Sequence, residues 1–272
     1  DTDGASRASE DNMPLADTVA QCRSGIYKIV FVSAELQMLG GGSAFLSNGL
    51  LVTNHHVFLG HQDAAKVGVR RDDAPPGEYK IFSAQDFASR LVTGSQEQSF
   101  DYAVLRLPEV ALPNDHQFHL EPRGKRRIGD PIALLGFPLE HDNLTCHQGV
   151  ISSFYQSGLA QVIQIDASVN AGNSGGPLID PETGVAFGVV TRKATGLSQM
   201  FDQLRTSVKE NIKIAEAAGG GISLGGIDPK QALLASQNQM LVTLNEIERQ
   251  SNVGIGYAFS AEHLLAENCM KA

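Results

Sequence analysis

The chain has 272 residues, 42% hydrophobic and 19% charged, with a formal net charge of −9, the make-up of a soluble globular protein with room for one large domain or two small barrels. That acidity excludes a phosphate-binding surface and so nucleic acid, which needs clustered Lys and Arg; the basic run from Arg123 to Arg127 reads as a solvated turn. No apolar stretch reaches membrane-span length, and three cysteines (Cys22, Cys146, Cys269) are too few for a disulfide framework, while leaving one bridge open.

Residues 1–12 are polar and acidic, without apolar period, and belong to a flexible tail expected over 1–14. The first residue is Asp1, not Met, so the chain reads as processed or trimmed and its compartment is not legible. From Gly25 onward, short β-rich runs alternate with Gly, Asn and Pro, which predicts strands at 26–32, 44–46, 50–53, 66–69 and 102–107. A stretch rich in Pro, His and Asn at 108–122 leads into a second set at 131–136, 149–155, 161–166, 177–180 and 185–191. Two strand-rich halves, 15–120 and 121–272, point to an all-β chain of two barrels.

The pattern changes after Lys193. Leu197, Phe201, Leu204, Val208, Ile212 and Ala215 recur at helical spacing up to Gly219, Gly220 and Gly221. Asp228 and Pro229 form an N-cap and first turn, opening a second helix that carries Leu233, Leu234, Met240, Leu241, Leu244 and Ile247. A helical pair is thus inserted over 194–252. Strand character returns at 254–259, and Ser260 is placed to cap a final helix running to about Cys269.

The most informative stretch is Asn170-Ala171-Gly172-Asn173-Ser174-Gly175-Gly176-Pro177. Acyl transfer needs a nucleophile whose neighbouring backbone N–H groups converge on the developing oxyanion, and flanking glycines allow that tight backbone. Ser174 is the candidate nucleophile, with Gly172 and Ser174 as the two oxyanion donors. The same residues fit the G-x-S-x-G elbow of α/β-hydrolases, which requires a helix directly after the serine. Here Pro177 and a turn at 181–184 predict a hairpin instead.

A candidate base lies upstream, at the end of the predicted strand Leu50-Leu51-Val52-Thr53, in Asn54-His55-His56-Val57. Successive side chains on a strand face opposite ways, so the two histidines do not form a metal pair; His116 and His119 lie in the linker. No metal and no cofactor is expected. Asp101, beside the apolar run Tyr102-Ala103-Val104-Leu105, would be costly on a buried face unless paired, and a histidine N–H supplies the partner. An Asp just outside the strand, capping a turn, is the plainer alternative. The order His, Asp, Ser is that of chymotrypsin rather than of subtilisin or the α/β-hydrolases.

The blocks 53–57, 101–107 and 170–178 resemble the three active-site blocks of trypsin-like peptidases, closest to the bacterial HtrA/Deg type. Ile128-Gly129-Asp130, Leu135-Gly136-Phe137-Pro138, Gly149-Val150-Ile151-Ser152, Gln164-Ile165-Asp166-Ala167 and Gly254-Ile255-Gly256-Tyr257-Ala258-Phe259 extend the likeness in order. The resemblance selects His56 over His55, because the family's catalytic histidine directly precedes the valine. It implies two six-stranded antiparallel barrels with the site between them, His56 as general base and Asp101 as its orienting group. It also implies a substrate pocket with Ser168 at its base, Val169 in its wall, and Thr191, Arg192 and Lys193 near its rim.

Small or medium aliphatic residues are therefore expected before the cleaved bond, with an acidic preference as runner-up because of Arg192 and Lys193. Val57 and Asn173 depart from the animal digestive branch, so activation by a clipped N-terminus is not expected; nor is a PDZ domain in the chain as given. The resemblance places the protein in the periplasm or outside the cell, with the cytoplasm as alternative. The function expected is a serine endopeptidase acting on polypeptides. A protease-fold scaffold with an idle site is the competing class. The insertion over 194–252 is a candidate surface for a partner or for self-association, and a candidate gate of the pocket, with 219–226 as hinge.

Overall fold

The computed structural model describes residues 13–75, 77–139, 142–191, 196–217, 228–251 and 254–271. It divides into two compact units, residues 193–253 and the remainder.

The larger unit starts with a helix that strand patterning did not announce. Pro14 precedes α1 (Leu15–Cys22), whose buried Thr18 donates through Oγ1 to the Pro181 carbonyl at 2.8 Å, joining the start of the chain to the second half. Next come β1 (Ile26–Val32), β2 (Met38–Ser47), β3 (Leu50–Thr53), the single turn α2 (His55–Leu59), β4 (Lys66–Arg71), β5 (Lys80–Ser83), α3 (Ala84–Ser89), β6 (Leu91–Ser95) and β7 (Tyr102–Leu105). They make one seven-stranded sheet in the order β5-β4-β1-β2-β3-β7-β6.

This corrects the expectation of two closed six-stranded barrels: the first half is a curled, open half-barrel. Its end strands β5 and β6 share no ladder, because α3 carries the chain between them. Ser83 caps α3 by accepting the Asp86 N–H at 3.0 Å, and α3 buries Phe87 in the core of this half. There it meets Phe31, Phe58 and Phe82 at ring separations of 6.1, 5.8 and 6.4 Å.

The second half is a closed barrel. β8 (Pro131–Gly136), β9 (Thr145–Ser157), β10 (Ala160–Ile165), β11 (Pro177–Ile179), β12 (Ala186–Thr191) and, from beyond the insertion, β13 (Gly256–Ser260) run in the order β10-β13-β12-β11-β8-β9, with β9 closing on β10. Each half has its own core, Tyr27, Leu51 and Leu105 in one and Ile132, Ile163 and Val190 in the other. A third cluster, including Phe45, Val52, Leu135, Phe137 and Ile179, lies where the halves meet. The three cysteines are unbridged.

Ser260 is the last residue of β13, paired with Gly188, and so does not cap a helix. The final helix is correspondingly shorter than expected: α6, from Glu262 to Leu265, then a 3-10 turn at Asn268–Met270. No helix among the described residues is long and apolar enough to cross a membrane.

The smaller unit is a hairpin of α4 (Gly196–Ala217) and α5 (Pro229–Ser251). Phe201, Val208 and Leu244 are buried between the helices, with Ile212 and Leu241 against them. Asp228 caps α5 through Oδ1, which accepts the Lys230 N–H at 2.9 Å. The glycines at 219–221 and the hinge expected at 219–226 lie outside the described residues, as does the tail over 1–12.

Candidate active site

β3 ends at Thr53, and the chain turns at once into α2 with Asn54 as N-cap, so the two histidines sit on a helical turn rather than on a strand. Their separation therefore comes from this turn and not from strand alternation. The His56 ring places Nδ1 2.8 Å from Asp101 Oδ2, and its backbone N–H donates to Asp101 Oδ1 at 3.0 Å. The His55 ring tilts against Phe58, and its buried Nδ1 has no hydrogen-bond partner among the described residues.

Asp101 lies just before β7, with φ +46, a left-handed conformation unusual for a non-glycine residue. The strain is held in place from several sides. Its N–H donates to the Gln96 carbonyl at 3.1 Å, and its own carbonyl accepts Asn54 Nδ2 at 2.9 Å. Its side chain is fully buried, and Oδ2 also accepts the Thr191 hydroxyl at 3.1 Å. A buried carboxylate with three donors from two residues remains an acceptor aimed at the imidazole.

Thr191 ends β12, and the same strand holds the loop that carries Ser174. Gly175 N–H donates to the Val190 carbonyl, and Val190 N–H to the Gly176 carbonyl, both at 2.8 Å. On the other side, the Ser174 carbonyl accepts the Ser43 N–H from β2 at 2.8 Å. Gly175 has φ +89, and a Cβ there would lie 2.1 Å from the Ser43 carbonyl oxygen and 2.2 Å from Thr53 Oγ1. Glycine is required on both counts. The loop carrying Ser174 is thereby seated against the junction of β3 and α2 that carries His56.

Gly172 has φ +98, and its Cα abuts the backbone of Phe137, Pro138 and Leu139. Its carbonyl accepts Ser43 Oγ at 2.7 Å, and the preceding Ala171 carbonyl accepts the Leu139 N–H at 2.9 Å. In a planar trans peptide the N–H points opposite to the C=O, so the Gly172 N–H is turned away from Leu139. A flipped peptide, with the Ala171 carbonyl in place of that donor, would forfeit the bond. Asn173 is fully buried with no partner for its amide among the described residues. An ionised Asp there would be costlier still.

A family model described as "Trypsin-like peptidase domain" matches residues 40–189. The chain belongs to the trypsin-like peptidase family. That family is one of serine endopeptidases, and the match spans all three residues of the His56–Asp101–Ser174 constellation. Mitochondrial serine protease HTRA2 of Drosophila pseudoobscura pseudoobscura is 31% identical over 207 residues, covering 70% of this chain and 44% of that protein. An uncharacterized Sinorhizobium fredii protein, y4bJ, is 30% identical over 186 residues, 65% of this chain and 25% of that one. The chain thus spans less than half the length of these curated relatives. Among solved structures, "HtrA-type protease AlgW with tripeptide" superposes with a TM-score of 0.56 at 23% identity, over 93% of this chain and 62% of that one, a likeness of fold.

Of the residues expected to shape the pocket, Ser168 accepts the Gly254 N–H through Oγ at 2.9 Å, which ties it to the approach to β13. Val169 is 3% exposed and lies in the barrel core, where a Cβ on Gly256 would meet it at 2.5 Å. Thr191 is buried with its hydroxyl on Asp101, so its side chain serves the carboxylate. Arg192 and Lys193 lie outside the described residues. Sequence reasoning missed Ser43, Asn54 and Leu139, which act through hydrogen bonds between segments far apart in the chain. Asn54 alone carried a signal, as a cap residue next to the histidines.

Proposed function

We propose that the chain is a serine endopeptidase that cleaves polypeptides through an acyl-enzyme on Ser174. The observation that carries this reading is the buried Asp101 carboxylate, bonded to the His56 ring and backbone and joined through Thr191 to the strand that seats Ser174. His56 takes the Ser174 proton as the hydroxyl attacks the substrate carbonyl, then delivers it to the leaving amine. Asp101 keeps the Nδ1 proton toward itself and favours the imidazolium form. The Gly172 and Ser174 N–H groups bind the oxyanion of the tetrahedral intermediate. The neighbouring AlgW structure was solved with a tripeptide, which supports a peptide substrate.

Cleavage after small or medium aliphatic residues follows from a pocket floor without a carboxylate, since Ser168 stands there and Val169 beside it. Residues 194–252 are proposed as the surface through which a partner or second copy controls that pocket. Fluorophosphonate labelling, read by peptide mass, tests the reading directly: the label should fall on Ser174. A folded protein that takes no label and cleaves no member of a peptide library would leave only the idle scaffold, and strong cleavage after Lys or Arg would refute the specificity.

A further inference from the structure

Two like charges face each other on neighbouring strands of the first sheet, on the face turned away from the core that Tyr27, Ile29 and Val69 fill. Lys28 on β1 and Arg70 on β4 are direct cross-strand partners, and both are almost fully buried, at 2% and 3% exposure. Such a pair is unfavourable as a sheet element, and burying an ammonium is costly without a counter-ion. The counter-ion comes from the other half of the molecule. Asp142, in the loop between β8 and β9, accepts Lys28 Nζ and the Tyr79 hydroxyl on Oδ1, each at 2.8 Å. The Arg70 guanidinium donates to the Asp142 backbone carbonyl and lies over the rings of Tyr79 and Phe137, 5.7 and 5.6 Å from their centroids. Lys28 beside it holds the Asp142 carboxyl below its ordinary range.

The same loop forms the floor under the oxyanion peptide. Phe137 N–H donates to Ser43 Oγ at 2.8 Å, and Ser43 Oγ donates to the Gly172 carbonyl at 2.7 Å. Leu139 N–H then holds the Ala171 carbonyl at 2.9 Å, which sets the direction of the Gly172 N–H. Phe137, fastened to Ser43 through its N–H, also carries on its ring the Arg70 guanidinium that is held on the Asp142 carbonyl. What the ionic arrangement adds is a directional hold on the loop from the opposite half.

We propose that Lys28, Arg70 and Tyr79 are positioning residues for the oxyanion donor at Gly172, acting through Asp142, the Phe137 ring that Arg70 covers, and Ser43. The proposal rests on Ser174 being the nucleophile, as argued above. Asp142→Asn keeps the side-chain volume and an acceptor while removing the charge. Deleting an oxyanion donor outright costs about 10²–10³ in kcat, so displacing one is expected to cost about tenfold. The assay compares kcat and KM for a cleaved peptide with the affinity of the matching peptide aldehyde, whose hemiacetal oxygen occupies the oxyanion position. Asp142→Asn should lower kcat and aldehyde affinity by the same factor and leave KM within about twofold.

Amide hydrogen exchange over 137–145 and 170–174 supplies a readout independent of turnover, and both segments should exchange faster in the variant. Where Asp142→Asn fails to fold, Tyr79→Phe, which removes one neutral donor, should show the same pattern at about threefold. A folded variant with wild-type kcat, aldehyde affinity and exchange overturns the proposal, as does a rise in KM alone. If the wild-type protein takes no fluorophosphonate and cleaves nothing, the peptidase reading has failed and exchange at 170–174 decides: acceleration supports the positioning link, and no change refutes it.

Discussion

Replacing Thr191 by Val removes one hydroxyl and almost no volume, so it isolates a single bond to the buried aspartate. In the folded protein Asp101 is 0% exposed and its carboxylate accepts three hydrogen bonds, from the His56 backbone, the His56 ring and Thr191. No water replaces the lost donor at a site so enclosed. A hydrogen bond to a charged group contributes about 1.5–3 kcal/mol. At about 2–4 °C per kcal/mol for a domain of this size, the midpoint of thermal unfolding should fall by about 3–12 °C. Turnover should suffer less than when the aspartate itself is changed, a change that in a comparable triad costs about 10⁴. The two His56 bonds, at 3.0 and 2.8 Å, keep the imidazole oriented, so a loss of about tenfold in kcat/KM, or about 1.4 kcal/mol, is expected. Thr191→Ser restores the hydroxyl and should recover most of both quantities. Thermal unfolding and peptide hydrolysis on the wild type and both variants give the comparison. Should Val and Ser at this position prove equal in melting and in kcat/KM, the hydroxyl has no role in holding Asp101.

Ser174→Ala and His56→Ala should each lower peptide hydrolysis by at least about 10⁴, whereas His55→Ala, whose ring rests on Phe58, should keep most of it; equal losses from the two histidine variants, both folded, would undo the assignment. Gly175→Ala should fail to fold or melt far below the wild type, because its Cβ would stand 2.1 Å from a backbone oxygen at φ +89; a melting curve within 2 °C or so of wild type would contradict the seating of the loop. Burial pushes the Cys22 thiol from 9.0 up to about 11. A raised pKa contributes stability that is whole below the unfolded value and lost as pH climbs through the folded one, so the wild type should lose stability between pH 9 and 11. Cys22→Ala should lack that slope, and a thiol reagent at pH 8 should modify exposed Cys146 while sparing Cys22 until the chain unfolds; ready modification of Cys22 in the native protein would count against its burial.

Much of the site was legible because its chemistry is written in short, local runs. The glycines around Ser174, the Asn-His-His-Val run and the Asp beside an apolar strand each had a plainer reading alone, and their order favoured one triad over the rival orders. Strand existence was legible for the same reason: β1, β3 and β8 occupy the residues their alternation and punctuation marked out. The short strands β5 and β6 escaped notice, since Lys80–Ser83 and Leu91–Ser95 are mostly exposed and show no periodic apolar face. So did α1, held by packing on the second half more than by its own eight residues.

The sequence by itself thus marked the residues proposed to carry the chemistry, how strands and helices are distributed, and that a helical pair interrupts the second half, because these depend on contacts close along the chain. Tertiary structure alone decided whether the first sheet closes. It left that sheet open, with no ladder between its end strands β5 and β6. It alone turned Thr191 toward Asp101, set Ser43 between Phe137 and Gly172, and brought Asp142 to the buried pair Lys28 and Arg70. Each of those contacts joins residues tens of positions apart, and a hydrogen bond depends on a donor and acceptor meeting within about 3 Å at a favourable angle, a condition that no local pattern encodes.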